Sequence, residues 1–267
     1  MSYVTGDPGK NQKAGKDTPL TLEDPLDFAR SRLNFQPDPR QCAVLDPSIE
    51  QGILNCTRQW GKSTITAVKA VHHAFTRPDS LVLAVSPSLR QSAEFVRKAA
   101  AFLRHLGIRR RGDGLNSASL ILPNGARIVG LPGKEDTIRG FSKPGLILID
   151  EAARVPEEMY EAVRPMLAVA DGALWLMSTP NGKRGFFWDV WSSGGPEWTH
   201  IQVPAADCPR ISARFLDRER RALGDRAFRQ EYCCEFLESE DQLIRDDFID
   251  RAIRSDIEPL KIDWKFT

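Results

Sequence analysis

The chain has 267 residues, with 37 lysines and arginines balanced by 36 aspartates and glutamates and 41% hydrophobic residues. That length suffices for one large core or a core plus a small subdomain, and a net charge of +1 excludes a uniformly basic coat for nucleic acid while allowing local basic patches. There is no apolar run of membrane-spanning length and no apolar signal core in Met1–Leu20; five cysteines without a C-x-x-C pair and four histidines without zinc spacing suit a reducing, cytosolic setting and no structural metal.

Residues 1–23, with little apolar content, read as a flexible arm whose Lys10, Lys13 and Lys16 suit a solvated tail or a polyanion contact. Asp24-Pro25 predicts a capped helix through Phe28 and Leu33, and the proline-punctuated Phe35–Gln41 leads into a second short helix. The apolar Gly52-Ile53-Leu54 predicts a strand, followed by a turn and a helix from about Lys62 through Ala67, Val68 and Val71. Leu81–Val85 reads as a buried strand closing on Ser86-Pro87-Ser88, with a helix after it through Ala93, Val96, Ala100 and Leu103. Arg109–Arg111 is a basic turn. Ser119–Leu122 and Arg127–Val129 predict a hairpin whose Asn124-Gly125 turn supplies the positive φ angles. Gly145–Ile149 is an apolar strand ending in Asp150-Glu151; a helix over Pro156–Leu167 and a strand over Ala173–Met177, ending in Ser178-Thr179-Pro180, follow. Beyond Pro204 the pattern turns helical and Arg-rich.

Continuous apolar strands alternating with helices predict an α/β fold with a mainly parallel sheet covered on both faces. The polar residues Lys62-Ser63, Ser86, Asp150-Glu151 and Ser178-Thr179 gather where those strands end, and open α/β sheets bind ligands at that carboxyl edge. Asn55–Thr64 has the build of a phosphate-binding P-loop: turn and helix N–H groups face the phosphates, Lys62 reaches the β/γ oxygens and the Ser63 hydroxyl binds Mg²⁺. The usual G-x-x-x-x-G-K-[ST] pattern has glycine where this chain has Cys56, so the loop is a variant. Asp150 suits the Mg²⁺ shell and Glu151 the polarisation of an attacking water; the same pair also suits the N-cap and first-turn acid of the next helix.

Arg58–Thr64, Ser86–Ser92, Thr137-Ile138-Arg139-Gly140, Leu146–Glu151 and Ser178–Gly182 together resemble the ATPase region of tailed-bacteriophage terminase large subunits. Arg229–Tyr232 and Cys234–Phe236 resemble the helical segment at its end, so that the likeness runs from about Gln36 to Ile253. P-loops of that family often lack the first glycine and carry an arginine, here Arg58. The resemblance implies a P-loop NTPase fold of the additional-strand, catalytic-glutamate type: an arm over 1–23, an ATPase core over 24–204, a helical lid over 205–255, and the start of a linker over 256–267.

It further implies ATP and Mg²⁺, with Thr57, Arg58, Gln59, Trp60, Gly61, Lys62, Ser63 and Thr64 around the nucleotide, Gln41 sensing adenine, Ser63 and Asp150 at the metal, and Glu151 activating water. Arg58 becomes a γ-phosphate sensor or a cis stabiliser of transition-state charge, Arg139 a finger inserted into a neighbouring subunit's site, and Ser178-Thr179 a coupling pair. The residues themselves leave open a surface glutamine at 41, local ion pairs for Arg58 and Arg139, and a turn cap at 178–179. Implied partners are double-stranded DNA, a portal protein and procapsid, a small terminase subunit and a ring of copies, a pentamer, in the host-cell cytoplasm and off the membrane. Arg90-Gln91, Arg97-Lys98, Arg109–Arg111 and Lys183-Arg184 are the DNA candidates, as a group.

A nuclease is not expected. Glu238, Glu240, Asp241, Asp246, Asp247 and Asp250 lie in helical sequence, whereas a two-metal site draws carboxylates from separate strands, and the chain stops where the family's nuclease would begin. Three rival functions differ in their demands. A helicase-like translocase needs a second recombinase-like domain, for which the length leaves no room; a nucleotide-binding assembly factor would keep the P-loop without turnover; a kinase leaves the hairpin and the Ser178-Thr179 strand unexplained.

Overall fold

The computed structural model describes residues 23–109, 111–112, 114, 118–238 and 252. The expectations for residues 1–22, for Arg110 and for the segment from 239 onward (Ala252 apart) lie outside the described residues.

Helix α1 (Pro25–Asp27) starts at Asp24, whose Oδ1 accepts from the backbone N–H of Leu26 at 2.9 Å and Asp27 at 3.1 Å. It continues as a π-helical turn over Phe28–Arg32 where the spacing predicted ordinary helix. Helix α2 (Pro39–Leu45) opens with a capping box in which Asp38 Oδ1 accepts from Gln41 N–H and Gln41 Oε1 accepts from Asp38 N–H.

The alternating units follow: β1 (Gln51–Cys56), α3 (Lys62–Thr76), β2 (Leu81–Ser86), α4 (Leu89–His105), β3 (Ser119–Ile121), β4 (Arg127–Pro132), α5 (Glu135–Ile138), β5 (Leu146–Asp150), α6 (Glu157–Leu167), β6 (Ala173–Ser178), α7 (Gly185–Ser193), β7 (Trp198–Val203) and α8 (Ala213–Tyr232). The strands form one sheet in the order β3-β4-β2-β5-β6-β1-β7, with every pairing parallel except β3–β4.

Neighbouring residues of each central strand are buried on opposite faces. Leu54, Leu148, Trp175 and Met177 pack with Ile65 and Val68 of α3 and Phe95 and Val96 of α4. Ile53, Ile147, Ile149 and Leu176 pack on the other side with Met159 and Val163 of α6 and Phe186 and Phe187 of α7. Covering both faces is why these strands read as unbroken apolar runs. Gly52 is small for a packing reason: a Cβ there would lie 2.5 Å from the Trp175 ring.

Two details differ from expectation. In the hairpin only Gly125 takes a positive φ (83°); Asn124 instead uses its side chain, donating from Nδ2 to the carbonyls of Ala74 (2.9 Å) and Phe75 (3.1 Å) at the end of α3. The turn, closed by Gly125 N–H to Leu122 O, therefore needs one left-handed residue, not two. The second is β7, an edge strand beside β1 that the apolar-run criterion does not find. Its Thr199, His200 and Gln202, which are not buried, interrupt the buried Trp198, Ile201 and Val203.

Candidate active site

Because β1, β5 and β6 run parallel, their carboxyl ends meet on one edge of the sheet. There Thr57–Gly61 loops from β1 into α3. Gln59 (φ 64°) and Gly61 (φ 102°) are left-handed. Gly61 is the N-cap of α3; its φ favours glycine, and a Cβ there would lie 3.3 Å from Gln41 Nε2, a close contact with a side-chain end. Cys56 has no such preference for glycine. It is the last, fully buried residue of β1, in register with Val203, and extended backbone accepts any residue. Burial pushes its thiol up to about 12, leaving a small neutral side chain.

Four side chains from the two sequence segments interlock. Lys62 Nζ pairs with Glu151 Oε1 at 2.6 Å. Ser63 Oγ donates to Asp150 Oδ2 at 2.8 Å, and Asp150 Oδ1 accepts the Glu151 N–H at 3.0 Å. Glu151 sits at φ 54°, a left-handed conformation costing a non-glycine residue about 1–2 kcal/mol, in the turn that brings its carboxylate to Lys62. Burial pushes the Asp150 carboxyl up, with Lys62 and the Ser63 hydroxyl opposing. Burial pulls the Lys62 ammonium down, but Asp150 and Glu151 outweigh it, so its pKa is raised and it stays charged.

A second set of contacts joins this cluster to β6 and α8. Arg154, in the 3₁₀ turn Ala152–Arg154 after β5, donates from Nη1 to Glu151 Oε2 and to Thr179 Oγ1, both at 3.2 Å. Its Nη2 lies 3.6 Å from Glu231 Oε1 near the end of α8, and Arg58 Nε pairs with Glu231 Oε2 at 2.7 Å. Thr57 Oγ1 donates to the Glu231 carbonyl at 3.0 Å, and Asn55 Nδ2 donates to the Cys234 carbonyl at 2.9 Å. The P-loop and the end of α8 are thus stitched together through backbone and charge.

The residues enclose a cleft of about 500 Å³ lined by Arg58, Gln59, Gly61–Thr64, Gln91, Lys98, Glu151 and Arg154. Of the residues singled out from sequence, Arg58, Gln59, Gly61, Lys62, Ser63, Thr64 and Glu151 line it, while Ser178 reaches Glu151 Oε2 at 3.5 Å. Gln41 stands behind Gly61. Trp60 offers only backbone, since its indole is fully buried in the core; its carbonyl accepts from Arg210, which also lies 3.6 Å from Asp38 Oδ2. Arg139 is exposed and lines a separate hollow with Phe141, Glu158 and Glu161.

Sequence reasoning misses Arg154, Glu231 and Lys98 as parts of this site. Lys98 reads from sequence as a DNA candidate, yet it lines this cleft with Gln91, seven residues earlier on α4, and burial pulls its ammonium pKa down with Asp150 opposing. That i, i+7 spacing from the helix start is the available signal. Arg154 follows Glu151 by three residues, which places it near the strand end but says nothing about its partners.

A family model described as "Terminase large subunit, T4likevirus-type, N-terminal" matches residues 53–250. The terminase large subunit of Thermus virus P23-45 is 26% identical over 253 residues, covering 80% of this chain and 51% of that protein. The chain thus spans about half the length of the curated relatives it matches. Among solved structures, a mutant large-terminase ATPase domain of Thermus phage P74-26 superposes with a TM-score of 0.72 at 21% identity, covering 80% of this chain and 100% of that one. The large terminase of bacteriophage HK97 gives a TM-score of 0.68 at 17% identity, covering 81% of this chain and 55% of that one.

Proposed function

Since the chain belongs to the terminase large-subunit family, as the N-terminal ATPase domain of such a subunit, we propose that it hydrolyses ATP in the P-loop cleft and uses the energy to drive double-stranded DNA into a procapsid. One observation carries the reading: Ser63 and Asp150, 87 residues apart in sequence, are hydrogen-bonded beside the Lys62–Glu151 ion pair on a single sheet edge.

The N–H groups at the start of α3 and Lys62 bind the phosphates, as helix N-termini and P-loop lysines do. Ser63 and Asp150 present adjacent hard oxygen donors, the set that suits Mg²⁺, and would hold it there; the ion supplies neutralisation of phosphate charge. Glu151 polarises the attacking water. Lys62 is engaged by Glu151 and Arg58 by Glu231. Phosphate binding exchanges both carboxylates for phosphate oxygens. The same exchange releases Glu151 for water and loosens the tie between the P-loop and α8.

Gln41, against Gly61, reads the adenine side of the loop. Ser178 and Thr179 pass the change from Glu151 and Arg154 along β6, and the segment that starts at residue 205 and includes α8 acts as a lid over the 24–204 core. Arg139, outside its own subunit's cleft, serves the neighbouring site of a ring, a pentamer docked on the portal in the host cytoplasm with the small subunit. Arg90, Arg109, Arg111, Lys183 and Arg184 grip DNA phosphates without reading sequence.

The test is ATPase rate against protein concentration, with and without double-stranded DNA. A steep, assembly-dependent rise is expected, and mixing Arg139→Ala with Glu151→Gln subunits should regain activity. A strictly linear rate indifferent to DNA, with no recovery on mixing, overturns the shared-site motor.

A further inference from the structure

We propose that Arg154 is the positioning residue of this site: it holds the Glu151 carboxylate after ATP draws Lys62 away, and it ties that carboxylate to α8 through Glu231. The inference rests on Glu151 being the water-activating residue. The carboxylate of Glu151 is held from two sides, by Lys62 on Oε1 and by Arg154 and Ser178 on Oε2. Phosphate oxygens compete with Glu151 for the Lys62 ammonium. When it leaves, Oε1 turns free toward the cleft while Oε2 keeps its partners.

Of those partners Arg154 is the stronger. Its contact is charged and 3.2 Å long, whereas the Ser178 hydroxyl stands at 3.5 Å, the outer limit of a hydrogen bond. Arg154 is also anchored close by, its backbone N–H donating to the Glu151 carbonyl at 2.8 Å. A planar guanidinium can address Glu151, Thr179 and Glu231 together; a lysine ammonium is a point charge that cannot reproduce that fork. Glu231 is shared between Arg58 and Arg154. Once phosphate takes Arg58, Arg154 remains as the charged link between the catalytic carboxylate and α8. Nucleotide state would then reach the helix through this residue.

The experiment compares the intact chain with Arg154→Ala and Arg154→Lys in three readouts: Mg·ATP affinity, single-turnover hydrolysis, and amide hydrogen exchange over residues 226–232 with a slowly hydrolysed Mg·ATP analogue at saturation, the state in which Arg58 is drawn to phosphate. Arg154→Ala should keep the ATP Kd within about 3-fold, slow turnover on the order of 100-fold, the usual scale for a misplaced catalytic group, and speed exchange at the end of α8. Arg154→Lys should recover part of the rate and little of the α8 protection. An ATP affinity that falls as far as turnover would make Arg154 a phosphate ligand and overturn the proposal. So would unchanged turnover, or unchanged α8 exchange. A wild-type chain that binds ATP and never hydrolyses it removes the hydrolysis reading instead, and the α8 exchange arm still judges the Arg154–Glu231 link.

Discussion

Replacing Glu151 by glutamine should abolish turnover and, less obviously, tighten ATP binding. Lys62 and Glu151 form a 2.6 Å ion pair with side chains only 12% and 20% exposed. On the proposed reading, ATP phosphate competes with Glu151 for Lys62. A hydrogen bond to a charged group contributes about 1.5–3 kcal/mol. Glutamine keeps the shape and a neutral acceptor, so on the order of 1 kcal/mol of that interaction is lost, which corresponds to roughly 5-fold tighter binding. Removing a negative charge beside the triphosphate acts in the same direction. Calorimetric titration with Mg·ATP gives the affinity, and phosphate release gives the turnover. Binding that is unchanged or weaker would refute the competition between Glu151 and phosphate for Lys62; robust hydrolysis by Glu151→Gln would refute its role toward water.

Other expectations concern the scaffold. Cys56→Gly, which restores the common P-loop pattern, should leave ATP affinity unchanged and cost about 1–2 kcal/mol in denaturant unfolding, because it empties a buried strand position; tighter nucleotide binding would contradict the reading of Cys56 as plain strand. Gly52→Ala should destabilise by about 1–3 kcal/mol or more through the clash with Trp175, and a neutral melting temperature would show the ring can move aside. Lys69 lies above the Trp175 ring at 4.6 Å and donates to the carbonyls of Val44 and Asp46, and burial pulls its pKa from 10.5 to about 8, with Asp46 opposing. Between those pH values the unfolded chain holds the proton and the folded chain does not, so stability should rise from pH 8 to 10.5 by at most about 3 kcal/mol. Lys69→Met should lack that increment in urea unfolding at the two pH values; equal slopes in both proteins would count against it.

The sheet was legible wherever both faces are covered. β2, β5 and β6 announce themselves as apolar runs, and the polar residues closing them mark the edge where the candidate site lies. β7 escaped because it is an edge strand, where Thr199, His200 and Gln202 tolerate solvent and interrupt the run. The P-loop was legible from Gly61-Lys62-Ser63, whose backbone and chemistry are local. Cys56 was ambiguous because linear sequence does not say where β1 ends and the left-handed loop begins. The ties from Glu231 to Arg58 and Arg154 span α8 and two strand ends. No local spacing encodes such a meeting, and a glutamate in an Arg-rich helix reads as a solvated side chain until the fold brings it home.

Mg²⁺-dependent ATP hydrolysis through Lys62 is tested most directly by phosphate release from ATP with protein in excess, in a single turnover. The wild-type chain, with double-stranded DNA and at concentrations that assemble it, should release phosphate only when Mg²⁺ is present, and Lys62→Ala should neither bind nor hydrolyse ATP. Release by Lys62→Ala at the wild-type rate, or no release by the wild type, would contradict hydrolysis in this cleft.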